Sequence, residues 1–325
     1  LAGLWKKQHA EWVAPALPWT YFGVMILGTG ILMGGAWAYE SLSFGGFWAW
    51  DPVENASLVP WLVMVGGAHV MLIYKSRKQS LFTAYVLMIL TFILILYSTF
   101  LTRSGILGNT SVHAFTDLGM SGQLLVYLLF YVFIAAVLLI INYKSINADN
   151  VEDNSTSREF WMFIGALVLL VSAFQITFTT SIPVINKLFG SNLAPPTKAV
   201  EHYNSWQIPF AIIVALLMAI TQFFKYKQSD LKTTLKKLMV SIIIAAVATT
   251  IAIFTLEIYN GFLIALFFTS FFAITSNIDY IFKVLNGEIR KAGASIAHIG
   301  FGMILLGALI ATGKSRVISQ NTSGI

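Results

Sequence analysis

The sequence predicts an all-α fold, a polytopic integral membrane bundle with about nine transmembrane helices. Composition is the first reason: of 325 residues, 57% are hydrophobic and 10% charged, with a mean hydropathy of +0.78. A soluble domain needs more polar surface than this to cover its core, so a bilayer is the expected solvent. The second reason is the length of the apolar stretches. Runs of about 20 residues cross the hydrocarbon core, and they must be helical because backbone groups in lipid are satisfied within the segment. The third is the sidedness of the basic residues.

Taken in order, the spans are expected over residues 19–38, 58–74, 82–101, 124–141, 160–178, 208–224, 238–254, 261–274 and 294–311. The eighth is short and Phe-rich. With the N-terminus inside and sides alternating, fifteen of the 20 Lys and Arg residues fall on the inner face. Only Arg103, Lys187, Lys198, Lys314 and Arg316 fall outside. A wrong number of spans would scramble this bias, so the count and the orientation support each other. The chain reads as a single membrane domain, 1–325, with outer loops at 40–57, 102–123 and 179–207. The inner connector at 147–155 is polar and reads as solvated.

The net charge of +6 and pI near 9.4 are accounted for by these inner loops. No basic helix or aromatic platform lies outside the spans, which argues against nucleic acid as a partner. There is no cysteine, so thiol chemistry nearby must come from another protein. The chain starts at Leu1 without an initiator Met or a signal-peptide layout, and is expected to be part of a longer protein.

The outer loops are Gly-rich and aromatic, and function is expected there. Between the first two spans runs Phe44-Gly45-Gly46-Phe47-Trp48-Ala49-Trp50-Asp51-Pro52-Val53-Glu54-Asn55-Ala56. The glycines permit a bend, Trp48 and Trp50 offer broad apolar faces, and Asp51 before Pro52 suits a helix N-cap. An interfacial aromatic belt is the alternative. A belt does not call for two carboxylates, Asp51 and Glu54, at the membrane surface, where charge is costly unless paired or functional. Aromatics, glycines and fixed carboxylates together suit a large flat amphiphile. Asp51 and Glu54 are the candidate acid–base groups.

In the next outer loop, Arg103 suits a carboxylate or propionate, or else a lipid headgroup. His113 in the same loop is a candidate iron ligand. His69 lies inside the second span, past its midpoint. It reads as an axial ligand, a proton relay, or a hydrogen-bonded packing residue. His298 sits among small residues that allow close helix packing. His202 is on an outer loop, and His9 lies near the inner edge.

The segment from Gly45 to Ala56 resembles the "WWD" signature of cytochrome c assembly proteins. Thr102-Arg103-Ser104-Gly105 with Ser111-Val112-His113-Ala114-Phe115 is similar to the CcmF-type branch in particular. Ala297-His298-Ile299-Gly300 and Pro195-Pro196 with Tyr203-Asn204 resemble later elements of the same family. Phe44 and Phe47 stand where the signature is usually richer in Trp.

The resemblance implies heme handling at the outer face for covalent attachment to apocytochrome c, as a subunit of a heme lyase. It implies a bacterial inner-membrane protein with the WWD loop on the periplasmic face. Implied cofactors are a b-type heme in the membrane, with His69 as ligand, and a transit heme at the WWD loop. Trp48, Trp50 and Asp51 would cradle the transit heme, Arg103 would meet its propionates, and His113 and His298 would ligate its iron. The charge count, by contrast, puts the His298 end of the last span on the inner side. Implied partners are apocytochrome c with a Cys-x-x-Cys-His segment, a heme-delivery chaperone, thiol-handling assembly subunits and membrane lipid. The rival functions are a transporter of heme or another amphiphile and a structural scaffold of the assembly complex.

Overall fold

The computed structural model describes residues 1–41, 46–108, 110–111, 113, 119–146, 155–225 and 229–313. Phe44, Gly45, Val112, Ala114, Phe115, most of the polar inner connector, Lys227, Lys314 and Arg316 lie outside them. Eleven α-helices and two 3-10 turns make up the described chain, with no strand among those residues. The helices are α1 (Ala2–Trp5), α2 (Val13–Glu40), α3 (Pro52–Arg77), α4 (Leu81–Arg103), α5 (Ser121–Ile146) and α6 (Arg158–Thr180). After them come α7 (Ile182–Phe189), α8 (Ala199–Ile220), α9 (Leu231–Thr255), α10 (Gly261–Lys283) and α11 (Gly293–Gly313). Among the described residues, nine helices are long and apolar enough to cross a membrane, in agreement with the expected spans.

Contacts group the chain into two compact units. Among the described residues, one holds those up to Phe210, and the other holds Ala211–Lys225 and residues 229–313. In the first unit α3 is the central helix, packed against α2, α4 and α6. Its sequence explains why it starts where it does. Asp51 caps the first turn by accepting from Val53 N, and Glu54 reaches back to the Asp51 amide, closing a capping box with Pro52 at the first helical position. Val63, Val70, Met71 and Ile73 are essentially inaccessible along its length. By contrast, α2 and α5 leave most of their apolar side chains, such as Trp19, Met33, Phe133 and Ile140, on the outside. Such an exposed apolar surface is what lipid would cover. Trp61 donates to the Val24 carbonyl at 2.9 Å, tying α3 to α2.

In the second unit α10 packs against α9 and α11. The short eighth span is corrected here: α10 runs to Lys283, well past residue 274. Apolarity fails to mark its second half because Ser270, Ser276 and Asn277 are fully buried polar residues. Asn277 donates to Ala273 O at 2.8 Å and to Met218 O at 3.1 Å, so a polar residue serves as interhelical glue.

Caps fix the helix starts. Asn260 accepts from Phe262 N and Leu263 N at the start of α10, and Asp230 from Lys232 N and Thr233 N at α9. The Thr233 hydroxyl also donates to Asp230, which with these amides holds the carboxyl below its ordinary range. Replacing Asn260 by alanine is expected to cost about 1 kcal/mol, read as an earlier thermal transition than for Asn260→Asp.

Candidate functional site

One end of the first unit gathers the loop that leads into α3, the loop after α4 and the head of α8. Leu107, wholly buried against Ala56, Phe100 and Leu101, pins the loop after α4 over the first turn of α3. The Ser111 amide then bonds to Leu107 O at 3.0 Å, which aims the Ser111 hydroxyl at Asp51 Oδ1, 2.6 Å away. His113 N donates to Ser111 Oγ at 3.0 Å, and His113 Nδ1 lies 3.3 Å from the same Asp51 oxygen. One carboxylate thus caps α3 and lies within ion-pair distance of the imidazole. Ligation through Nε2 requires the ring proton on Nδ1, the side that faces this carboxylate.

Beside it, Glu54 Oε2 accepts from both the Ala49 and Asp51 amides at 3.0 Å. This holds the stretch that carries Trp48 and Trp50. The carboxylates are therefore engaged in shaping the loop, Asp51 toward His113 and Glu54 toward the backbone. Gly46, at φ 154°, takes a conformation open to glycine, and Gly35 of α2 lies where a Cβ would meet the Phe47 ring and carbonyl at 2.9 Å. The loop therefore folds back closely onto α2.

Trp50 is one of six described non-glycine residues with a positive φ, and the only tryptophan among those six. Its φ of 58° is left-handed, which costs roughly 1–2 kcal/mol for an L side chain. Its ring stacks on Tyr203 at 5.1 Å and 18°, and meets Trp48 edge-on at 5.8 Å. Its indole N–H donates to Asn204 Oδ1 at 2.8 Å, and its carbonyl accepts from Asn55 Nδ2 at 3.1 Å. Asn55, wholly buried, also donates to Thr180, whose hydroxyl is 3.1 Å from that of Tyr203. Both tryptophans remain half-buried, and Arg103, ending α4, is exposed.

The structure thus brings Trp48, Trp50, Asp51, Glu54 and His113 together. Sequence reasoning did not assign Asn55, Ser111, Tyr203 or Asn204 a place in this cluster. The signals were available: an asparagine directly after the glutamate of the capping box, and an aromatic–Asn pair at the head of a span.

His69 is elsewhere. Eighteen residues along α3 from Asp51, it lies about 27 Å down the helix axis. Its Nδ1 is 2.8 Å from Val65 O, so the proton sits on Nδ1 and Nε2 keeps its lone pair. At the C-terminal end of α3, Arg77 pairs with the fully buried Glu159 of α6 at 3.4 Å. His202 lies in a polar chain between α6 and α8, 3.3 Å from Thr179 and 3.5 Å from Gln175, which accepts from Gln207 at 2.7 Å.

His298 belongs to the second unit. Its Nδ1 is 3.0 Å from the side-chain amide of the buried Gln222, just after α8. Ligation through its Nε2 requires the proton on Nδ1 and the Gln222 oxygen turned toward it. Among the described residues, no three His, Asp or Glu side chains converge as a metal-ion cluster. An axial ligand to a flat iron complex needs only one imidazole.

Comparison with known proteins points in one direction. Residues 5–108 match the model of the cytochrome C assembly protein family, a stretch that includes Trp48, Trp50, Asp51, His69 and Arg103. The cytochrome c-type biogenesis protein CcmF of Pseudomonas fluorescens is 30% identical over 322 residues, 95% of this chain and 48% of that protein. The chain is similar to the CcmF family along nearly its whole length. Its relative CycK of Bradyrhizobium diazoefficiens is 31% identical over 331 residues, covering 94% of this chain and 48% of the relative. NrfE of Haemophilus influenzae is 27% identical over 95% of this chain and 49% of the relative. The solved structure of cytochrome c heme lyase CcmF shares the fold, with a TM-score of 0.70 at 21% identity over 95% of this chain and 47% of that one. The chain spans about half the length of the CcmF-family relatives it matches.

Proposed function

We propose that this chain handles heme at the outer membrane face for covalent attachment to apocytochrome c, as a subunit of a heme lyase. The observation that carries this reading is the His113–Asp51 contact set beside the Trp48–Trp50 pair on a loop shaped by Glu54. The similarity to cytochrome c-type biogenesis proteins and to a heme lyase supports it. A bacterial inner membrane with this loop on the periplasmic side fits the positive-inside bias.

The donor set fits heme. His113 offers Nε2 to iron, the half-buried indoles offer apolar contact to a macrocycle, and Arg103 suits a propionate. When bound, heme supplies the vinyl carbons that take up the client's two thiols. The chain's own residues position it. Asp51 fixes the His113 ring, Ser111 bridges them, and Glu54 keeps the tryptophans in place. Positioning of reactants is a large part of what a protein contributes when a cofactor carries the chemistry. His69 is assigned to a b-type heme within the membrane. The loop charges around Arg290 and Lys291 favour an inner location for His298, so it is assigned to membrane heme rather than to the outer loop. The client, a heme-delivery chaperone and thiol-handling subunits are the proposed partners.

The test is cytochrome c yield in cells that depend on the full-length protein. His113→Ala and a Trp48→Ala/Trp50→Ala double variant should lower covalent heme staining at least tenfold, at normal protein level. An unchanged yield in both would favour a scaffold. Loss that is rescued by heme supplied outside the membrane would favour a transporter.

A further inference from the structure

Trp50 combines three features that together ask for an explanation: a bulky side chain at left-handed φ, an indole N–H fully committed to Asn204, and one ring face covered by Tyr203. A strained residue persists only where its surroundings over-determine it, and such positions cluster at ligand clamps. The surroundings here are specific. Tyr203 and Asn204 are consecutive residues in the second turn of α8, so one rigid element supplies both the stacking face and the hydrogen-bond acceptor. Thr180, at the end of α6, approaches the Tyr203 hydroxyl and receives the Asn55 amide, and Asn55 in turn holds the Trp50 carbonyl.

We infer that Tyr203 and Asn204 are positioning residues that lock Trp50 into a one-sided platform for the flat ligand. The inference rests on the heme-handling reading of the outer loop. Tyr203 takes one face of the indole, so a macrocycle meets only the other face or the edge, beside Trp48. Asn204 prevents rotation of the ring about χ2 by holding its N–H. Without these two side chains the left-handed backbone at Trp50 loses two of the contacts that oppose its relaxation, and the ring leaves the position set for the ligand.

The experiment uses full-length protein in lipid nanodiscs, labelled with 5-fluorotryptophan, with the Trp50 resonance assigned by its loss in Trp50→Phe. Hemin is titrated into the same samples. The conservative variants Tyr203→Phe, which keeps the stack, and Asn204→Asp, which keeps the acceptor, should retain the wild-type resonance and hemin affinity. Tyr203→Leu and Asn204→Leu should shift or split the resonance and weaken hemin binding about tenfold, the scale of one lost stack or hydrogen bond. Thermal stability serves as the check on folding. Should a leucine variant fail to fold, Asn204→Ala carries the same expectation.

Leucine variants that keep both the wild-type resonance and the wild-type affinity would overturn the inference. So would a shifted resonance with unchanged affinity. A wild-type protein that binds no hemin would overturn the functional reading instead, while the ligand-free fluorine spectra would still decide whether Tyr203 and Asn204 hold Trp50.

Discussion

Asp51→Ala is expected to weaken hemin binding at the outer loop by roughly 10- to 100-fold, the usual range when a partner that orients a ligating histidine is removed. Asp51 Oδ1 accepts from Val53 N and from Ser111, and it lies 3.3 Å from His113. Alanine removes all three contacts. It should also lower stability by about 1 kcal/mol through the lost helix cap. Asp51→Asn separates the two effects, because an amide oxygen still caps the helix but no longer holds the imidazole with a full charge. The expected order of hemin affinity is wild type, then Asn, then Ala, with thermal stability of the Asn variant close to wild type. Equal affinities in all three would show that Asp51 acts on the helix alone.

Arg77→Met is the substitution expected to cost most in stability. Glu159 is wholly buried, and the guanidinium 3.4 Å away is largely so. Removing one member of a buried ion pair costs about 3–5 kcal/mol, because the remaining charge is left in a poorly solvating site. Replacing both by apolar residues, Arg77→Met with Glu159→Met, should restore most of that loss, since the desolvation cost disappears with both charges. Thermal unfolding of the four proteins of this cycle in one detergent measures the coupling directly. Additive losses in the double variant would mean that the pair does not hold α3 to α6.

How much of this was legible beforehand differs by level. The helical membrane fold follows from apolar length and from the sidedness of Lys and Arg, both properties of single segments. The end of α10 was not legible, because Asn277 and Ser276 look like loop residues until their burial against neighbouring backbone carbonyls is seen. Nor was α7, an eight-residue helix between two spans. At the site, Asp51 as N-cap could be read from Asp-Pro, since capping is local. The convergence of Ser111 and His113 on that same carboxylate could not, because it depends on Leu107 seating the following loop against α3. The meeting of Trp50 with Tyr203 and Asn204 spans more than 150 residues of chain, and local pattern carries no information about such a contact. The strain at Trp50 is likewise invisible to composition, for a tryptophan next to Asp-Pro has no intrinsic reason to be left-handed.

Separate heme binding at an outer histidine and at a membrane histidine, as proposed, is tested by a pyridine-hemochrome assay with reduced-minus-oxidised spectra on the purified full-length protein, beside His69→Ala and His113→Ala. The expected result is a b-type signal that is lost in His69→Ala and kept in His113→Ala, with added hemin taken up at a second site only when His113 is present. A wild-type protein without heme, even after heme supply and with cytochrome production intact, would contradict it.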